Sequence, residues 1–134
     1  DPNIKRAINA QLTSINAFPQ MQQGHQERIK DFKLFEDSAS QGDLSPYVNT
    51  MVERHLMGPG KQEVAILNYK RQQEGKPQVT VEQVKTGMMQ ELHNKIEKKG
   101  ALNFHKELHD DVNSSQKHID NTTRTIRQLA GLED

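Results

Sequence analysis

The sequence predicts an all-α protein, and three features predict it. Apolar residues recur three and four positions apart, and no β-branched or aromatic run alternates in period two. Proline and glycine punctuate the chain between these stripes, with Ser, Thr or Asp standing where helices would begin. Apolar residues are also scarce: Leu, Ile, Val and Phe number 29 of 134 and there is no Trp. That supply furnishes one buried stripe per helix, not a thick core. The expected architecture is a bundle of five or six helices. It would be a single domain over 1–134, or a piece of a longer chain, with a long C-terminal helix carrying a coiled-coil-like seam.

Asp1 and Pro2 read as N-cap and first helical residue. Ile4, Ile8, Leu12 and Ile15 follow at helical spacing. Pro19 disfavours the α conformation at Phe18, so the first helix is expected near 2–17. Met21, His25, Ile29, Phe32 and Phe35 then place a second helix at about 21–37. Residues 37–43 have turn chemistry. Ser45-Pro46 repeats the cap-plus-proline start, and Tyr47, Val48, Met51, Val52 and Leu56 form a stripe stopped by Gly58-Pro59-Gly60.

A weaker periodicity places a helix at 61–74. Thr80 with Gln83 matches a capping box, and Val81, Val84, Met88, Leu92 and Ile96 carry a helix to about Lys99. Lys95, Lys98 and Lys99 suit its C-terminal end, where the helix dipole favours cations. Gly100 is the break.

The last segment holds the most regular pattern. His105, Leu108, Val112, Ser115, Ile119, Thr122, Ile126 and Leu129 are spaced alternately three and four apart, an a/d heptad register. A helix over 102–130 would be roughly 43 Å long. Gly131 and Leu132 suit a Schellman ending. The seam is expected to pack on the 81–97 stripe through the Gly100 turn. That stripe is too short to cover all of it, so residues beyond 112 need another helix or a partner. His105, Ser115 and Thr122 interrupt the seam with polar groups that require partners once buried.

Charge narrows the partner classes. Lys and Arg number 18 and Asp and Glu number 18. Residues 1–67 hold 7 basic and 8 acidic groups, and 68–134 hold 11 and 10. Neither half has the cationic excess that neutralises phosphates, which argues against nucleic acid and against an anionic membrane surface. No apolar run reaches the roughly 20 residues of a membrane span. The absence of Cys excludes disulfides and thiolate chemistry.

Motifs for chemistry are poor. His105 and His109 share a helical face and could reach one metal, with His93 or Glu97 as a third ligand. The H-E-x-x-H pattern fails, because Lys106 stands where the general base belongs. Gly58-Pro59-Gly60-Lys61 lacks the first Gly and the Ser/Thr of a phosphate loop. Asn113-Ser114-Ser115 and Asn121-Thr122-Thr123 fit a glycosylation pattern but fall inside a helix. No catalytic residue, cofactor site or metal site is assigned.

The reading is a non-enzymatic helical interaction or scaffold module, cytoplasmic, that meets another protein or its own copy. The partner-facing residues are expected to be Ser115, Ile119, Thr122, Ile126 and Leu129. Two alternatives remain. Richness in Gln, Asn, Lys and His resembles the composition of secreted effectors of intracellular bacteria, implying a secreted or secretion-associated helical domain. The other is a metal-dependent activity at His93, His105 and His109.

Overall fold

The computed structural model of the chain describes residues 1–131. Five helices occur among them and no strand: α1 (Pro2–Ser40), α2 (Ser45–Met57), α3 (Glu63–Gln73), α4 (Val81–Lys99) and α5 (Ala101–Leu129). The fold class is all-α with a long C-terminal helix, as the sequence predicts. The chain divides into two compact units. One is made of Asp1–Lys33 together with the chain from His105 onward, and the other is Leu34–Phe104.

The expected break at Pro19 does not occur, because α1 runs through it without interruption. A proline inside a helix costs about 3 kcal/mol, through the lost hydrogen bond to the carbonyl four residues earlier and a ring clash. Pro19 is exposed, so the carbonyl released by its ring can be hydrated. Ile15, Phe18, Met21 and His25 meanwhile continue one face across the proline, each at least half-buried. Continuity of that face outweighs the local penalty. The start of α1 follows expectation: Asp1 Oδ1 accepts the Asn3 backbone N–H at 3.0 Å.

The Leu34–Phe104 unit holds every fully buried apolar side chain among the described residues: Phe35, Tyr47, Val48, Val52, Ile96 and Phe104. Three rings form its centre. Phe35 meets Tyr47 edge-on at 5.2 Å between centroids, and Phe104 lies 5.1 Å from Phe35 and 5.9 Å from Tyr47. Edge and tilted arrangements of this kind suit the ring quadrupoles. Helix α2 packs along α4, and Lys85 on α4 donates to Glu53 on α2 at 2.7 Å. That bond raises the Lys85 pKa.

Turn chemistry fixes the remaining joints. Gly60 is buried, and a Cβ there would come within 2.5 Å of the His55 ring, so a larger residue would have to displace that side chain. Asn68 clamps the 74–80 connection, donating to the Val79 carbonyl at 2.9 Å and accepting its N–H at 2.7 Å. The expected capping box is formed: Gln83 N–H donates to Thr80 Oγ1 at 3.1 Å, and Thr80 N–H donates to Gln83 Oε1 at 2.8 Å. Ser45 is not the cap of α2. It is the first helical residue, and Asp43 Oδ1 takes its N–H at 2.9 Å. Gly131 closes α5 at φ 74°, as expected of a C′ glycine. The Leu132 contact expected of a Schellman ending lies outside the described residues.

Two outcomes follow. Thr80→Ala should lower the unfolding free energy by about 1 kcal/mol in urea titrations, the usual worth of an N-cap side chain. Hydrogen bonds from Ser45 hold the Asp43 carboxyl below its ordinary value. Its contribution is therefore present above the unfolded-state pKa of about 3.9 and fades as pH falls through the lower folded value. The melting-temperature gap between wild type and Asp43→Ala should be constant from about pH 7 to 5 and shrink below about pH 4.

Candidate interaction surface

The second unit is built from the first 33 residues and the C-terminal helix. Its two helices run antiparallel, as three points of contact show. Phe32 of α1 lies against both His105 and His109, at 4.8 and 5.7 Å between ring centroids. His25 Nδ1 meets Ser115 Oγ at 2.5 Å across the pair. Further along, Ala10 and Gln11 share a shallow cleft with His118, Asn121, Thr122 and Thr125. On α1 the residues that meet α5 at these points include Gln11, His25 and Phe32, separated by fourteen and seven. On α5 they follow the heptad register read from the sequence.

The seam's partner is therefore α1. The sequence points to the 81–97 stripe, whereas within this unit it is α1 that lies against the seam. Treating α1 as two short helices hid the one element long enough to accompany α5. Joined through Pro19, α1 spans roughly 58 Å against roughly 43 Å for α5.

The seam's polar interruptions are accommodated in different ways. Ser115 donates to the Val112 carbonyl at 2.9 Å, which leaves its oxygen to accept from His25 Nδ1–H. His25 is buried, and this pairing accounts for a polar ring in the seam. His105 lies against the Phe32 ring. Thr122 is buried, with Ile119 and Ile126 half-buried beside it along the helix. Leu129 remains 50 % exposed. Of the five residues expected to face a partner, four thus lie partly or wholly inside the α1–α5 pair, and Leu129 stands open.

The sequence reading overlooked the surface of α1. Ile4, Ile8 and Leu12 are 61, 50 and 51 % exposed. Helical spacing marked them as a buried stripe. By phase Ile4 lies about 20° from Gln11, with Ile8 and Leu12 at about 60° and 100°, so the stripe drifts progressively off the α5-facing line at 100° per residue.

Other chemistry is sparse in this unit. A cleft of about 560 Å³ is lined by Met21, Gly24 and Arg28 of α1 and by Asp111, Ser115 and His118 of α5, among others. Arg28 and Asp111 face the same space, so it has no single charge preference. Among the described residues no three His, Asp or Glu side chains converge as metal ligands, and no helix is long and apolar enough to cross a membrane. His93 belongs to the other unit, on α4. No family model, curated protein or solved structure matches the chain.

The His25–Ser115 contact is testable by deletion. Ser115→Ala should cost about 1–3 kcal/mol in urea unfolding, because it leaves a buried imidazole nitrogen without its partner. Pairing it with His25→Leu should recover part of that loss, since both polar groups are then gone.

Proposed function

We propose that the chain is a non-enzymatic helical interaction module whose α1–α5 unit meets another protein chain. One observation carries this reading. Among the described residues, every fully buried apolar side chain belongs to the Leu34–Phe104 unit. The α1–α5 unit buries His25 and Thr122 instead, and leaves Ile4, Ile8, Leu12 and Leu129 at least half exposed. A chain so poor in apolar residues places a run of them on one exposed helical face. Contiguous exposed apolar surface of this kind marks association sites, unlike isolated surface leucines.

The partner-facing set proposed is Leu129 on α5 with Ile4, Ile8 and Leu12 on α1; Ser115, Ile119, Thr122 and Ile126 would join it only where the α1–α5 pair opens. Polar seam positions support the reading as well. They lower the stability of a helical pair while fixing its register, which suits a surface that must rearrange or release.

Affinity capture from the native lysate tests this. The intact chain should retain a stoichiometric partner, and Leu129→Asp should weaken retention at least about tenfold with far-UV helicity unchanged. Ile126→Asp should do the same with some loss of stability. Capture of nothing by the intact chain, with Ile126→Asp simply unfolding it, would show the seam to be internal core only.

A further inference from the structure

The larger cleft of the α1–α5 unit lies between one strip of each helix. On α1 the strip runs through Ala17, Met21, Gly24 and Arg28, and on α5 through Asp111, Ser115 and His118, three or four residues apart. Residues so spaced share a helical face. The space between the strips is about 560 Å³, within the roughly 300–1,000 Å³ of small-molecule sites. Register decides which ends meet. His25 stands against Ser115 in an antiparallel pair, so Arg28 and Asp111 fall at one end of the cleft and Ala17 and His118 toward the other.

The charged end is specific in its chemistry. The Arg28 side chain folds back along α1, and its Nη1 lies 3.1 Å from where a Cβ on Gly24 would stand. The missing side chain at Gly24 is what lets the guanidinium lie against the cleft. Asp111 faces the same space from α5. The two do not close on each other. Among the described residues neither Arg28 nor Asp111 has a hydrogen bond or ion pair within the protein. The cleft therefore presents a cation and an anion side by side, both with their bonding capacity open to a ligand.

A ligand with one charge is attracted by one of these groups and repelled by the other, whereas a zwitterion is attracted by both. A carboxylate accepts two parallel N–H bonds from a guanidinium, and an ammonium donates to a carboxylate. An α-amino acid carries both groups on one carbon, with its side chain leaving from the same atom. Beyond Gly24 the α1 strip continues through Met21 and Ala17, a narrow apolar surface that suits an unbranched apolar chain.

We propose that this cleft binds a free α-amino acid with an unbranched apolar side chain. Its carboxylate sits on Arg28, its ammonium on Asp111 and its side chain along Met21. The site is additional to the protein-binding role and does not depend on it. Arg28 and Asp111 are exposed, so water competes for both and the affinity is about millimolar.

L-Methionine is the probe, added to the full chain up to about 20 mM and followed by nitrogen-resolved NMR. The Gly24 amide should shift and saturate. N-Acetyl-L-methionine lacks the ammonium and L-methioninamide lacks the carboxylate, so each should bind at least about tenfold more weakly. Asp111→Asn should erase the preference over the acetyl compound alone, and Arg28→Gln the preference over the amide alone. Gly24→Ala displaces the guanidinium and should weaken L-methionine binding with far-UV helicity retained. Absence of a saturable shift at Gly24 overturns the proposal. Equal affinity for the three compounds also overturns it, as does binding that survives both charge substitutions, which places the ligand elsewhere.

Discussion

Scarcity of apolar side chains governs this structure. With 29 Leu, Ile, Val and Phe among 134 residues, most helices have only one face worth burying. Folding must recover more free energy than the chain entropy it costs, and burial of such faces is the main source. The chain answers by concentrating its best-buried residues between Leu34 and Phe104, where Phe35, Val48 and Ile96 are almost wholly enclosed. The α1–α5 unit is left with a thinner seam, and hydrogen bonding at His25 and Ser115 does part of what packing does in the other unit.

That division shapes what the molecule can do. Among the described residues no three His, Asp or Glu side chains converge as metal ligands. Apolar surface is left open in both units, at Ile4, Ile8 and Leu12 on α1 and at Met57, Ile66, Tyr69 and Leu102 in the other.

Much of the fold was legible in the residues themselves. The capping box at Thr80 and Gln83, the breaks at Gly58 and Gly100, and the span of α5 all follow from local chemistry that operates within a few residues. Pro19 was misjudged because its local preference is real but is outweighed by a face running from Ile15 to His25, which only a long partner helix makes worth keeping. Ser45 is not the cap because the helix begins one residue sooner than the Ser–Pro signal suggests, with Asp43 holding the Ser45 N–H. The surface followed the same rule. Spacing identified the α5 seam, but it could not reveal that α1 would cover Ser115 through Thr122 or that Ile4, Ile8 and Leu12 would stay at least half exposed. Those outcomes depend on the angular phase between two helices about 90 residues apart in the chain.

That separation has a consequence for the order of assembly. The Leu34–Phe104 unit is contiguous in sequence, so its rings can come together as soon as residue 104 is available. The α1–α5 seam closes a loop of about 90 residues between His25 and Ser115, and contacts of such high sequence separation form late. During synthesis the N-terminal stretch of α1 must wait, its isoleucines uncovered, while everything between is made. The low charge and the many Asn, Gln, Ser and Thr side chains of that stretch then have a second use. They keep a waiting helix hydrated before its companion arrives.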